Sequence, residues 1–193
     1  MKIGEFYDVI VVGAGHAGCE AALASSRMGA RTLLLCIYID SIAMMPCNPS
    51  IGGPAKGHIV REIDALGGEC AAAADASTQH LRWLNTSKGA AVRTLRAQCS
   101  PRRYGDHYRT ALLTQKNLDL HQGEAAELIV ENGEARGVKI ATGQSFFASC
   151  VVLATGTYLA SKIYTGLSCR ESGPLGMTPA KELAASLKKR VSK

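Results

Sequence analysis

Apolar residues are distributed along the chain in two recurring patterns, and these predict a layered α/β fold. Continuous apolar runs of four or five residues, Asp8–Val12 and Thr32–Cys36, read as strands buried on both faces. Between them Ala17–Met28 reads as a helix, so the first 36 residues form a β-α-β unit with parallel strands and a right-handed crossover. Helical spacing returns at His58–Leu66, with Ile59, Ile63 and Leu66 on one face, and again at Asp106–Lys116. Leu118–Gln122 reads as a strand. Glu127–Glu131 and Ala135–Ala141 flank Asn132-Gly133, a pair suited to a type I′ hairpin turn. Ser145–Ala148 and Cys150–Ala154 complete an antiparallel meander that returns to the sheet. The last amphipathic segment is Pro179–Arg190, after which Val191-Ser192-Lys193 stops with no following element, the expectation for a truncated chain.

The junctions between these elements carry the chemistry. Tyr7–Val12 leads directly into Gly13-Ala14-Gly15-His16-Ala17-Gly18, and a helix follows. This strand, G-x-G-x-x-G and helix order is what a dinucleotide phosphate requires. Gly13 permits a tight turn, Gly15 lets the backbone approach a pyrophosphate, and Gly18 lets helix and strand pack closely. The helix N-terminus offers free N–H groups and partial positive charge. Asp40 is the first acid after the second strand and is either a ribose ligand or a turn cap. Val151–Gly156 ends a strand on a glycine turn, at the sheet end that faces a nucleotide in such folds. Residues 41–57 hold three prolines and three glycines between 46 and 57, which predicts a loop without regular structure.

Composition narrows the class. The 193 residues are 47% hydrophobic, enough for one domain with a core. No apolar run approaches the roughly 18–20 residues of a membrane span, and no signal peptide precedes the first strand, so a cytoplasmic protein is expected. The seven cysteines include no C-x-x-C, so reduced thiols and no metal site are expected, with Cys19, Cys36 and Cys150 as small core residues. A disulfide-reductase chemistry would need a second cysteine close to Cys47, and there is none.

The formal net charge of +6 is concentrated. Arg82, Lys88, Arg93, Arg96, Arg102, Arg103 and Arg109 share their window with one acid, Asp106. Such a stretch meets phosphate, on a cofactor or a nucleic acid, or is a solvated surface. Arg93, Arg96, Arg102 and Arg103 have spacings that line one basic face. Trp83, Tyr104 and Tyr108 interleave with it. Trp83 is expected in the core, with base stacking the other role open to these aromatics.

Several strings resemble one family, the FAD-dependent tRNA uridine 5-carboxymethylaminomethyl modification enzymes called MnmG or GidA. They are Gly15–Ala22 (GHAGCEAA), Cys47–Gly53 (CNPSIGG), Lys56-Gly57-His58, Glu62–Gly68 (EIDALGG), Leu84–Gly89 (LNTSKG), Arg93–Gln98 (RTLRAQ) and Gly156–Leu159 (GTYL). The resemblance runs from about Tyr7 to the chain end. It implies a glutathione-reductase-like, Rossmann-type FAD-binding domain, of which residues 1–193 hold the N-terminal segments, before the NADH-binding and C-terminal helical domains.

The resemblance further implies an enzyme that uses FAD, NADH and methylenetetrahydrofolate. With the GTPase MnmE, it adds a carboxymethylaminomethyl-type group to C5 of the tRNA wobble uridine, as a homodimer. Carried onto this chain, Gly13, Ala14, Gly15, His16, Ala17 and Gly18 cradle the pyrophosphate, and the Ala125 backbone meets the adenine side. Ala180 stands where many relatives carry a serine near the flavin. Cys47 matches one of two cysteines tied to the chemistry, the other falling beyond Lys193. It is either a nucleophile for uridine C6 or a loop thiol packed under the flavin. Lys88, Arg93, Arg96, Arg102 and Arg103 become candidate tRNA contacts. The alternative is a truncated, non-catalytic fragment that binds FAD or tRNA.

Overall fold

In the computed structural model, residues 6–191 are described, so the expected stop at Val191-Ser192-Lys193 falls largely outside them. The chain runs β1 (Phe6–Val12), α1 (His16–Arg27), β2 (Thr32–Cys36), β3 (Ser50–Gly52), α2 (Lys56–Ala65), α3 (Cys70–Ser77), β4 (Thr78–Leu84), β5 (Thr94–Cys99) and α4 (Pro101–Thr114). It continues through β6 (Leu118–Gln122), β7 (Ala125–Glu131), β8 (Glu134–Ile140), β9 (Ser145–Leu153), β10 (Lys162–Thr165), β11 (Ser168–Glu171) and α5 (Lys181–Val191).

The main sheet has the order β6-β2-β1-β9-β8-β7. Its β6, β2, β1 and β9 are mutually parallel, and β7-β8-β9 form an antiparallel meander. This is the α/β, Rossmann-type architecture with a meander insert that the patterning predicts. In register, Val11 stands between Leu34 and Val152. Alternation then assigns side chains to layers. Val11 and Leu34 point to a core with Cys19, Leu23, Tyr104, Tyr108 and Leu112 from the helices. Ile10, Val12, Leu33 and Leu35 point the other way, to Val138, Ile140, Phe146 and Leu183. Every residue of β2 is buried, as its unbroken apolar run requires. No described helix is long and apolar enough to cross a membrane.

The structure corrects several expectations. The 41–57 segment contains β3, which pairs with β5. The strand is only three residues long because Gly52 and Gly53 turn out of it with φ of +91° and +96°. The α2 helix forms, but Ile59 is 54% exposed and Leu66 90% exposed, and only Ile63 of that face is half-buried, against Gly68. Cys19 and Cys36 are buried, whereas Cys150 is exposed. It pairs with Val9 toward the open end of β1, where Phe6 and Asp8 are exposed as well. The helix expected from Asp106 begins at Pro101. Ser100 is its N-cap and proline takes the first helical position, where no N–H is needed. The last strand is one unbroken β9.

Candidate functional site

A cavity of about 650 Å³ opens at the C-terminal ends of β1, β2 and β9. Its size falls within the roughly 300–1,000 Å³ of small-molecule sites. The loop Gly13–Ala17 forms one wall, and the end of β2 with the chain after it, from Leu35 to Ile37 with Met44 and Pro46, forms another. Thr155–Tyr158 after β9 closes a third side, and Ala125 and Ala180 line the remainder. Residues more than 160 positions apart therefore share one concavity, at the sheet end where open α/β folds take nucleotides.

The glycine loop is fixed by packing rather than by side-chain bonds. A Cβ on Gly18 would stand 1.7 Å from the Gly13 carbonyl oxygen, so only glycine lets α1 approach β1 this closely. Gly13 has φ of +103°, and a Cβ there would meet the Ala154 oxygen at 2.4 Å. Around Gly15 the space is open, with nothing within 4 Å of an added Cβ. The Gly13 N–H donates to Leu35 O at 2.8 Å, and the Ala14 carbonyl accepts from Ala43 N–H at 2.9 Å and from the Cys19 thiol at 3.3 Å. Burial pushes the Cys19 thiol up to about 12, which keeps it a protonated donor. No side chain caps the N-terminus of α1 at Gly15, and no acid stands in its first turn. Its amides are left for an anion. Gly13, Ala14, Gly15, His16 and Ala17 thus line the cavity, while Gly18 acts from behind it.

His16 faces inward as well as toward the cavity. Its ring lies 5.4 Å from that of Tyr104 and 6.5 Å from that of Tyr108, and its buried Nε2 has no partner. Burial lowers its pKa, Glu20 opposes that shift, and Lys56 adds to it. Behind the ring, Glu20 accepts from the Tyr108 hydroxyl at 2.6 Å and from Glu69 N–H at 3.0 and 3.1 Å. Glu69 in turn pairs with Arg27 and, at 2.7 Å, with His107. Tyr104 and Tyr108 are fully buried, so neither is a stacking platform, because their face of α4 packs into the helix-side core.

The remaining candidates separate. Ala125 and Ala180 are buried, and the Ala180 N–H donates to Tyr158 O at 2.9 Å. Asp40 is exposed, in the short turn Ile39–Ser41, and does not line the cavity. Cys47 is exposed, next to Pro46 of the cavity wall and two residues short of the last residue before β3.

The basic residues do not form one face. Alternation along β4 puts Arg82 and Trp83 on opposite sides of the small sheet β3-β5-β4, so Arg96, opposite Arg82, is separated from Arg93, which precedes β5 and lies on the Trp83 side. Arg96 pairs across from Arg82 and donates to Ser50 Oγ at 3.1 Å. Arg93 lies over the Trp83 ring, 4.6 Å from its centroid. Trp83 is 44% exposed rather than in the core, since β4 is an edge strand with solvent on both faces. Lys88 is exposed in the turn after β4. Arg102, in the first turn of α4, lies 3.9 Å from Asp106, and Arg103 beside it is exposed. Among the wall residues, Met44 and Met177 carried no pattern of their own in the sequence, because each is an apolar residue in an irregular segment.

The family model of glucose inhibited division protein A matches residues 8–193. The tRNA uridine 5-carboxymethylaminomethyl modification enzyme MnmG of Caldicellulosiruptor saccharolyticus is 56% identical over 183 residues, 95% of this chain and 29% of that protein. The enzyme of the same name from Alkaliphilus metalliredigens is 53% identical with the same coverage. Among solved structures, Aquifex aeolicus GidA superposes with a TM-score of 0.92 at 42% identity, over 98% of this chain and 31% of that one. A GidA-related protein from Thermus thermophilus shares the fold, with a TM-score of 0.70 at 22% identity over 95% of this chain and 68% of that one. The chain thus spans 29% of the length of the curated relatives it matches.

Proposed function

Because the chain belongs to the glucose inhibited division protein A family, we propose that it is the FAD-binding part of an enzyme that modifies C5 of the tRNA wobble uridine. The observation that carries this reading is the cavity itself, where the uncapped start of α1 and the open side of Gly15 meet the loop after β9. These residues suit FAD. The amides of Gly13–Ala17 and the α1 dipole take the pyrophosphate, the Ala125 backbone meets the adenine side, and Ala180 lies near the flavin. FAD supplies a two-electron carrier when bound. NADH as electron source, methylenetetrahydrofolate as carbon donor, MnmE and a second copy of the chain belong to the full-length enzyme in this reading.

Cys47 is the nucleophile. Its exposed sulfur adds to C6 of the uridine as the thiol proton passes to solvent, and the C5–C6 electron pair moves toward C5 and the C4 oxygen. C5 then attacks the methylene carbon of the iminium form of methylenetetrahydrofolate, and the C=N electron pair passes to that nitrogen. Loss of the C5 proton and expulsion of the thiolate restore the ring. Lys88, Arg93, Arg96, Arg102 and Arg103 contribute tRNA backbone contacts from several surfaces, which bind without reading sequence.

The share of 29% favours one other reading for the chain by itself, a unit that binds FAD or tRNA and turns nothing over. The test of the enzyme reading is Cys47→Ser and Cys47→Ala in the full-length protein, assayed by mass spectrometry of tRNA nucleosides. Both variants are expected to keep the bound-flavin spectrum and to lose wobble-uridine modification at least a hundredfold, about 2.7 kcal/mol or more in barrier. Modification at the unaltered rate in Cys47→Ala contradicts the role of Cys47.

A further inference from the structure

The chain contains one tryptophan, and it is on the surface. Trp83 lies near the end of β4, the edge strand of the small sheet, whose residues Gln79–Trp83 are all exposed. Leu81 beside it is 56% exposed. A large aromatic on a solvent-facing edge strand leaves apolar area in water that folding could have buried, and such area marks an interaction surface.

Two features hold the ring in place. The Arg93 guanidinium covers one side of the indole, 4.6 Å from its centroid, while the ring as a whole keeps 44% of its exposure. The connection between β4 and β5 is braced as well. The Asn85 side-chain amide donates to Val92 O at 3.2 Å, and the Lys88 N–H donates to Asn85 O at 3.1 Å.

The charge around this ring selects the occupant. From Thr78 through Arg93, the strand that carries the ring and the connection after it hold no Asp or Glu, while Lys88 lies in that connection and Arg93 lies over the ring itself. A second copy of the chain meeting this patch across a two-fold axis would set it against itself, cation on cation. A polyanion with exposed π faces fits instead. Bases in duplex RNA are stacked on one another, so the ring can take only an unpaired one.

We propose that Trp83, clamped by Arg93, is a stacking platform for an unpaired base of RNA, with Lys88 and Arg93 receiving the adjacent phosphates. This rests on the tRNA reading above and adds the class of nucleotide and the residue that takes it. The ring is no part of the dinucleotide cavity wall.

The single tryptophan makes the site report on itself. The protein is titrated with a fluorescein-labelled single-stranded oligouridylate, and with a labelled RNA duplex, following label anisotropy and, with unlabelled RNA, tryptophan emission. The single strand is expected to bind with quenching of the emission, and the duplex to leave the emission unchanged. Trp83→Ala is expected to weaken single-strand binding by about 5- to 150-fold, the range that loss of one stacked base produces, while Trp83→Phe keeps most of the affinity.

Single-strand binding with unquenched emission and full affinity in Trp83→Ala overturns the platform and leaves the tRNA reading standing. Absence of any RNA binding by the unaltered protein overturns both. A Trp83→Ala protein with unchanged RNA affinity but altered sedimentation overturns the platform and assigns the patch to self-association.

Discussion

His16 occupies the most constrained polar position beside the cavity. Its ring is set against Tyr104 and Tyr108, and its Nε2 is buried without a partner. Burial lowers its pKa in the folded chain, against the partial opposition of Glu20. The unfolded chain therefore binds this proton more readily. Stability falls as pH drops through the unfolded value near 6.5, and the loss is complete once pH is below the folded value. In chemical denaturation between pH 8 and pH 5, His16→Phe is expected to flatten this part of the profile. An identical pH slope in variant and parent contradicts the assignment. The sequence marks His16 as a helix-entry residue within G-x-G-x-x-G. It gives no sign that residues about ninety positions later complete its surroundings, because that contact depends on how α4 lies against α1.

Among the elements, legibility follows exposure. β1 and β2 are read at or near their bounds because parallel strands buried on both faces need apolar runs, and β6, an edge strand with no buried residue, is read at its bounds as well. The β7–β8 hairpin is read from Asn132-Gly133, both at positive φ as a type I′ turn requires. β4 carries no signal, since both of its faces meet solvent and no alternation is imposed. α3 is an alanine run without periodicity. In α2 the period is real but does not say what the face covers. Leu34, fully buried in β2, and Leu66, 90% exposed at the end of α2, make the contrast measurable. Leu34→Ala is expected to cost about 2–5 kcal/mol and Leu66→Ala less than about 0.5 kcal/mol in denaturant unfolding. Comparable losses at the two positions would contradict the assigned burial.

At the scale of the molecule, two cores on either side of one sheet leave a concavity at the strand ends, built from segments that the sequence keeps far apart. The glycine loop was legible because its chemistry is local. Ala125 and Ala180 became candidates only through the family resemblance, since an alanine at a cavity wall leaves no mark in the sequence. The basic stretch was legible as charge and not as shape, because Arg96 stands across from Arg82 on one side of the small sheet and Arg93 lies over Trp83 on the other.

The central claim is that this concavity holds FAD, and Gly15 tests it. The Cβ of a valine there meets no protein atom within 4 Å, and the side chain stands on the side of the loop that a pyrophosphate needs. The chain and its Gly15→Val variant are equilibrated with FAD, passed through a desalting column, and compared by visible flavin absorbance, with circular dichroism and thermal unfolding as controls. The account predicts retained flavin in the parent and none in the variant, with unfolding unchanged. A parent that retains no flavin, or a variant that retains as much as the parent, would contradict it.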